Sequence, residues 1–440
     1  MWNTAALRRI GLSIALLAPL ACGDEPEPID PMPATAGTTA GIETKGDRGE
    51  GIAALPIAPA IQADPGQPER LGLWVLCEGS QRVLESPQRM EAMLVAASRI
   101  GATDLFVQVY RGGRAWFDSS RADAGPYRAL IAAAGVDPLA QLLVRAHEEG
   151  MRVHAWVNVL SLASNKKAPI LDVLGSAAVL VDQHGRSILD YPKLDVPQPD
   201  RRYYRMGTPA VWLDAGAPGV ADYLAGTYAE LIERYPDLDG LHLDYIRYPG
   251  VLPFSPGSRF GVGLDFGYGD ATRERFREQT GLAAPFGASL SNANRWDRWR
   301  REQVTELVRA VRTATKGVNP DIQLSAAVGA YADRVYLAEG QDWLGWLEGG
   351  LVEFAVPMAY TLDDRMFRYL AQRYSNGPHA ERIWLGLGSW LFAKRPAGAL
   401  GQLRVAREAG STAQVLFSYD SIADSPALLE ALVAGLPGEP

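Results

Sequence analysis

The chain lacks the sequence features of several large functional classes. Of its 440 residues, 43 are Lys or Arg and 51 are Asp or Glu, so the net charge of −8 argues against nucleic acid or an anionic membrane surface as a partner. A phosphate-binding loop, a nucleophile elbow and a dinucleotide-binding glycine motif are all absent. His147-Glu148-Glu149 resembles the start of a zinc-protease helix, but Met151 stands where the second histidine would be. The paired histidines that a metal-hydrolase barrel needs after its first strand are also missing, so no metal is predicted, and no other cofactor is required.

Cysteine is also scarce, and one of the two cysteines lies near the N-terminus. Arg8 and Arg9 precede an apolar run that is too short to span a bilayer, which predicts a secretory signal over residues 1–21. Cys22 follows directly and predicts a bacterial lipoprotein signal with Cys22 as the lipidated residue, the alternative being an ordinary signal peptide with an incidental cysteine. Lipidation would leave Cys77 without a disulfide partner, so we expect it to be a small buried residue.

Segment 22–69 has no aromatic residues and is rich in Pro, Ala, Gly, Thr and acidic residues. Such a segment cannot bury enough apolar surface to offset its ordering entropy, so we expect a disordered tether between the anchor and a folded domain over residues 70–435. The expected location is the bacterial cell envelope, where only the lipid contacts the membrane, or the medium if the lipid signal is false.

Strand-like and helix-like segments alternate from residue 70 to the end. Eight strands are predicted, over Leu71–Leu76, Asp104–Tyr110, Arg152–Val159, Gly240–Asp244, Ile322–Val328, Leu351–Ala359, Ile383–Gly388 and Gln414–Tyr419. Amphipathic helices are predicted over Pro87–Ile100, Pro138–Gly150, Val220–Arg234, Trp296–Thr315, Asp363–Arg373 and Ala397–Glu408. Eight strands separated by helices predict an α/β fold, a (β/α)8 TIM barrel. A doubly wound open sheet is the alternative, although its glycine-rich first turn is missing.

Two connections are longer than ordinary loops between a strand and the next helix, Leu160–Ala217 and Pro249–Asp270. Both follow strands, so we expect them on the face of the barrel where active sites form.

The segment Asp239–Pro249 is the most informative part of the chain. Leu241 and Leu243 alternate with His242 and Asp244, which indicates a strand with a polar side. Soluble proteins seldom place ionisable groups at the end of an apolar strand unless that end opens into a site.

In a barrel, the side chains at the C-terminal strand ends converge on one pocket. The catalytic candidates are carboxylates, with Asp244 first and Glu78 or Asp342 as its partner. The expected substrate-binding residues are Gln108, Arg111, His154, Trp156, Asn158, His242, Arg247, Tyr360, Trp390 and Tyr419. Hydrolysis of a glycosidic bond requires paired carboxylates, and aromatic, amide and arginine side chains suit sugar rings and hydroxyls, so a polysaccharide or oligosaccharide is the expected partner.

Each candidate also has a structural alternative. Asp244 could simply hold the loop that follows it. The others could be core histidines, tryptophans that fill the barrel top, or solvated carboxylates: His154, His242, Trp156, Trp343, Trp390, Glu78 and Asp342.

Several motifs together resemble glycosyl-hydrolase-like family 10. They are Val153–Asn158, Asp239–Pro249, Pro357–Tyr360, and Phe106–Arg111 followed by Ala115–Phe117. The resemblance covers about residues 70–435 and implies a bacterial envelope or secreted barrel that hydrolyses glycosidic bonds in polysaccharide. Some relatives are outer-membrane lipoproteins that cleave peptidoglycan glycan strands stripped of their peptides. The resemblance implies Asp244 as the first catalytic residue.

A more distant similarity is to chitinase-type barrels, which carry Asp-Gly-x-Asp-x-Asp-x-Glu at the fourth strand. His242 stands at the first aspartate after the glycine, Asp244 at the next, and Ile246 where the acid glutamate would be. Either Asp244 acts as acid or nucleophile, or the proton comes from another strand end. A non-catalytic glycan-binding lipoprotein is the alternative function. Hydrolysis of an amide or ester is disfavoured because no Ser or Cys nucleophile is paired with a histidine.

Overall fold

The computed structural model describes residues 69–253, 264–283 and 290–436. The predicted signal segment 1–21, the lipidation site Cys22 and the tether up to residue 68 lie outside the described residues.

Eight parallel strands form the centre of the fold. They are β1 Arg70–Val75, β2 Asp104–Arg111, β3 Arg152–Asn158, β4 Gly240–Asp244, β5 Gln323–Gly329, β6 Phe354–Met358, β7 Leu385–Gly388 and β8 Ala413–Phe417. Each strand pairs with the next, and Trp74 of β1 is in register with both Phe106 of β2 and Phe417 of β8. The predicted TIM barrel is therefore confirmed, because an open doubly wound sheet would leave β1 and β8 apart.

Helices surround the barrel between the strands. They are α1 Pro87–Arg99, α2 Gly125–Ala134, α3 Pro138–Glu148, α4 Pro169–Leu174, α5 Val220–Arg234, α6 Asp270–Thr280, α7 Leu290–Val318, α8 Ala332–Ala338, α9 Trp343–Glu348, α10 Asp364–Ser375, α11 Pro396–Glu408, α12 Tyr419–Ala423 and α13 Pro426–Gly435. Ser86 and Asp137 accept hydrogen bonds from backbone N–H groups in the first turns of α1 and α3, and a proline follows each, so both helices begin where predicted.

Aromatic side chains fill the barrel interior. Phe106 stacks on the His154 ring with centroids 4.7 Å apart, and Phe354 stacks on Trp384 at 4.1 Å. Each such side chain removes roughly 150–250 Å² from water, about 4–6 kcal/mol at ~25 cal/mol per Å². Gly240 of β4 makes room for this layer, because a Cβ atom there would lie 2.0 Å from Nδ1 of His154.

The two long connections pack together beside the C-terminal ends of β3 and β4. A short strand in the first, Tyr204–Met206, pairs antiparallel with Val251–Pro253 in the second, and Asp182 forms a β-bridge with Phe266. The first connection also begins beside the end of β4, because Leu160 N donates to the carbonyl oxygen of Tyr245 at 3.3 Å.

Across the described residues, no individual helix combines the length and apolar character of a membrane span. Helices α2 and α3 meet that criterion only as a pair, with a bend of 71° between them.

Candidate active site

Asp244 is the last residue of β4 and is 8% exposed. Its Oδ1 accepts a hydrogen bond from the Tyr245 backbone N–H at 2.7 Å, and its Oδ2 accepts one from the Trp156 indole at 3.2 Å. Burial raises the pKa of Asp244 from 3.8 to about 6, although these two donors and the Arg247 charge oppose the shift. A carboxyl group with this pKa can hold or release a proton near neutral pH.

Tyr245 has a backbone conformation that is rare for an aromatic residue, with φ at +54°. The left-handed region costs an L-residue roughly 1–2 kcal/mol, so neighbouring contacts must hold it there. The ring packs against Trp212 at 5.5 Å and under the Arg247 guanidinium at 5.5 Å, and the hydroxyl is hydrogen-bonded to Thr208. These contacts fix the Tyr245 side chain on the residue whose amide donates to Asp244, and the sequence analysis did not single out Tyr245.

Amide side chains from β2 and β3 lie beside Asp244. Gln108 Nε2 donates to Asn158 Oδ1 at 3.1 Å, and Asn158 is in register with Asp244 on the next strand. Cys77, buried and free, donates its thiol to Gln108 Oε1 at 3.1 Å. The predicted residues Gln108 and Asn158 therefore do converge with Asp244, and their mutual hydrogen bond fixes the two amide groups.

Four aromatic rings line the same end of the barrel. Trp156 packs edge-on against Phe417 at 6.2 Å, and Phe417 lies 5.7 Å from Tyr360. A Cβ atom at Gly388 would lie 3.2 Å from Trp390 Nε1 and 3.3 Å from Tyr360 Cδ1, so these two rings flank the glycine. The Trp390 indole N–H is buried and has no hydrogen-bond partner in the described part of the chain.

Tyr419, predicted to bind substrate, is not part of this aromatic group. It is buried outside the barrel interior at the start of α12, where burial raises its pKa to about 12. The predicted strand to Tyr419 is too long, because Ser418 forms a capping box that ends β8 at Phe417 and starts the helix. Phe417 therefore takes the inward position, and the alternation with Val415 was the signal for it.

Arg247 lies beside Asp244, as predicted, but it also has structural partners. Its guanidinium is 2.9 Å from Glu339 Oε2 and stacks over the rings of Tyr245 and Trp212. Its positive charge acts on Asp244, while the ion pair with Glu339 ties the loop after β4 to the segment after α8.

Glu78 and Arg111 are brought together at the ends of β1 and β2. Glu78 forms ion pairs with Arg111 and with Arg114, the latter at 2.8 Å, and the three side chains are 30%, 31% and 35% exposed. In the described structure, Glu78 is not hydrogen-bonded to Asp244.

Asp342 is placed elsewhere. It is the N-cap of α9, and its Oδ1 accepts a hydrogen bond from Gly345 N at 3.2 Å. Asp342 therefore has a structural role that differs from the solvated carboxylate expected as its alternative, because a side chain that caps a helix is engaged with the backbone.

The two predicted histidines lie inside the barrel, below the strand ends. His154 is fully buried, with Nε2 2.9 Å from Asp104 Oδ1 at the start of β2. His242 accepts a hydrogen bond from the Trp74 indole on Nε2 at 3.1 Å and lies 2.8 Å from Ser325 Oγ through Nδ1. Burial holds the pKa of His242 well below its usual value, so it is neutral. Neither placement brings the ring to the C-terminal strand ends, which agrees with the core-histidine alternative.

None of the described residues form a group of three or more His, Cys, Asp and Glu side chains arranged to bind a metal ion.

Comparison with known proteins places this chain in a family. The model of Glycosyl hydrolase-like 10 matches residues 70–376. Glycosyl hydrolase DigH of Escherichia coli K12 is 26% identical over 336 residues, which cover 69% of this chain and 67% of DigH. Glycosyl hydrolase YngK of Bacillus subtilis is 21% identical over 302 residues, which cover 63% of this chain and 50% of YngK.

Solved structures share the fold at low sequence identity. The PgaB (BpsB) glycoside hydrolase domain from Bordetella bronchiseptica aligns with a TM-score of 0.58 and 16% identity, covering 85% of this chain and 100% of that domain. The catalytic domain of β-amylase from Paenibacillus polymyxa aligns with a TM-score of 0.51 and 10% identity, covering 84% and 99%. The family match spans most of the barrel and confirms the resemblance drawn from the motifs. The chain belongs to the Glycosyl hydrolase-like 10 family.

Proposed function

We propose that the protein hydrolyses glycosidic bonds of a cell-envelope or extracellular polysaccharide and that Asp244 is its general acid. The observation that carries the proposal is the state of Asp244, a buried carboxyl group at a strand end with a pKa of about 6. A glycosidase acid must carry its proton at the working pH, and burial is a common way to raise the pKa of a carboxyl group to that range.

In this proposal Asp244 transfers its proton to the glycosidic oxygen as the bond from that oxygen to the anomeric carbon breaks. Water then adds to the anomeric carbon, and its proton returns to a carboxylate. The Tyr245 amide and the Trp156 indole orient the carboxyl group throughout, because each donates to one of its oxygens. The charge of Arg247 would stabilise the carboxylate that forms when the proton leaves.

The rings around Asp244 suit a sugar substrate. Tyr360, Trp390 and Phe417 offer apolar faces, and the Gln108 and Asn158 amides offer polar groups to hydroxyls. The buried Trp390 N–H is a donor for which a sugar hydroxyl would be a suitable acceptor.

Within this class, we propose peptidoglycan glycan strands as the substrate. The support is the family resemblance together with the lipoprotein-like signal at Cys22, which would hold the enzyme in the bacterial envelope close to that polymer. Replacing Cys22 with Ser is expected to release the protein from the membrane fraction. If Cys22→Ser stays as firmly bound as the wild type, the lipid anchor is refuted.

A second candidate function is glycan binding without hydrolysis. Two observations favour it: Ile246 is fully buried where a chitinase-type barrel carries its acid, and Asp342 is engaged as a helix cap. Such a protein would hold the glycan against the same aromatic rings, and exchange of Asp244 would leave affinity largely intact.

The two functions are separated by incubating the purified full-length chain with peptide-free peptidoglycan strands and with chitooligosaccharides, and identifying products by mass spectrometry. Asp244→Asn is the test variant. Asp342→Asn is the matched control, because it makes the same chemical change at a helix cap and asparagine caps helices well.

Hydrolysis is expected for the wild type and the control, with a loss of roughly 10²–10⁴-fold in Asp244→Asn, the usual contribution of a general acid. Equal cleavage by wild type and Asp244→Asn would refute the role of Asp244. Binding of the strands without any products would refute hydrolysis and support the second candidate.

A further inference from the structure

A two-residue hairpin at the end of β2 places two arginines directly opposite each other. Gly112 and Gly113 both have positive φ, 64° and 74°, as the two central residues of a type I′ turn require. As a result Arg111 pairs with Arg114 across the turn. Like charges at directly opposed positions repel each other, so this hairpin needs an anion beside it.

Glu78 supplies that anion in the free protein, but it does not balance the charge. One carboxylate faces two guanidinium groups, which leaves one net positive charge at a partly exposed position. Arg114 is also held by its contact with the Trp116 ring, at 5.6 Å. This local excess of positive charge stands out in a chain whose net charge is −8.

The arginines lie on the same rim as Asp244. Arg111 ends β2, β3 is its neighbour, and Asp244 ends β4 beyond that. Adjacent strands are about 4.8 Å apart, so the ends of β2 and β4 are roughly 10 Å apart. The hydrogen bond between Gln108 and Asn158 spans the gap between β2 and β3. A glycan of several sugars held at Asp244 is therefore long enough to reach the arginines.

We propose that Arg111 and Arg114 form a subsite for a carboxylate-bearing sugar of the glycan and that Glu78 occupies this subsite when no sugar is bound. The inference rests on the proposed function, because it assumes that a glycan lies in the same site. Guanidinium groups bind carboxylates through paired, charge-assisted hydrogen bonds, and Glu78 is already bound through one terminal nitrogen of each arginine. A substrate carboxylate would share or replace these contacts.

The carboxylate could belong to a muramic acid whose peptide has been removed or to a uronic acid. Both present the same chemical group on a sugar ring, so the probes must separate them. Three are used with the full-length protein: peptide-free peptidoglycan strands, the same strands after reduction of the carboxyl groups to alcohols, and oligogalacturonate. Dissociation constants are measured by calorimetry, and turnover of each probe is measured in parallel.

Two variants and a control test the residues. Arg114→Gln removes one cation, and Glu78→Gln removes the internal competitor. Arg128→Gln is the control, because Arg128 is a 68% exposed arginine on α2 whose partner is Asp123, at 3.8 Å.

The wild type is expected to bind one of the carboxylated probes about tenfold more tightly than the reduced strands, as one charge-assisted contact provides. The preferred probe identifies the sugar. Arg114→Gln should lose this preference, Glu78→Gln should strengthen it by about threefold or more, and Arg128→Gln should leave it unchanged.

Equal affinity of the wild type for the reduced strands, the carboxylated strands and oligogalacturonate would overturn the subsite. So would an equal weakening of all probes by Arg114→Gln. Loss of turnover in Glu78→Gln with unchanged affinities would instead make Glu78 a catalytic carboxylate. An arginine-dependent preference without any turnover would support the subsite and refute the proposed hydrolysis, so the two failures are distinguishable.

Discussion

Replacing Asp244 by asparagine should change how stability depends on pH, and the sign follows from burial. The pKa of Asp244 is about 6 in the folded protein against 3.8 for an exposed aspartate. Because the folded-state value is raised, the carboxyl group opposes folding once it is ionised. The wild type therefore loses stability as pH rises from about 3.8 to about 6, whereas the asparagine variant has no proton to lose at this position.

The full difference corresponds to about 3 kcal/mol, at about 1.4 kcal/mol per unit of pKa. Between about pH 4.5 and about pH 7.5, the linkage relation gives a change of about 2 kcal/mol in the stability of Asp244→Asn relative to the wild type. Asparagine cannot accept from both Trp156 and Tyr245, which costs about 1–3 kcal/mol. That cost does not depend on pH, so it cancels in the comparison.

The assay is urea unfolding of both full-length proteins, followed by circular dichroism at several pH values. The unfolding free energy of Asp244→Asn should rise by about 2 kcal/mol relative to that of the wild type between about pH 4.5 and about pH 7.5. If the difference in unfolding free energy between the two proteins does not change with pH, burial does not raise the pKa of Asp244. If the unfolding free energy of Asp244→Asn falls relative to that of the wild type as pH rises, the fold stabilises the carboxylate, and the general-acid proposal fails.

Three further predictions concern neighbouring features. Asp342→Ala should lower the unfolding free energy by about 1 kcal/mol through loss of the α9 cap and leave turnover intact, and a loss of turnover without a loss of stability would contradict this. Asp104→Asn should destabilise by about 3–5 kcal/mol, because it leaves Arg152 without its buried counter-ion, and a change below 1 kcal/mol in urea would contradict it. Tyr245→Asn should be more stable than Tyr245→Ala by about 0.5–1 kcal/mol, since asparagine tolerates positive φ better, and equal thermal midpoints would refute strain at this position.

The architecture could be predicted from the sequence because the hydrophobic periodicity of each segment agreed with the Ser, Asp, Pro and Gly residues that mark its start and end. Strand β4 and helix α5, Val220–Arg234, have the predicted bounds, and α7, Leu290–Val318, contains the predicted Trp296–Thr315. Strand β6 begins at Phe354 rather than at Leu351, because α9 ends in the turn at Gly349 and Gly350. Apolar residues just before a strand follow the strand pattern even when the backbone is still turning.

The site was only partly predictable, because alternation gives the face of a strand but not the depth along it. His154 and Asn158 lie on the same face of β3, yet His154 is paired with Asp104 at the bottom of the barrel and Asn158 is level with Asp244. The conformation of Tyr245 could not be derived either, because its positive φ depends on contacts from a distant loop that carries Trp212.

The measurement that tests the central claim most directly is the pH dependence of kcat/KM for wild-type hydrolysis of peptide-free glycan strands. If Asp244 is the general acid, kcat/KM should fall about tenfold per pH unit above its pKa of about 6, because the protonated fraction falls in that proportion. A kcat/KM that rises through this range would show that the ionised carboxylate is the active form, as a nucleophile requires, and would contradict the account.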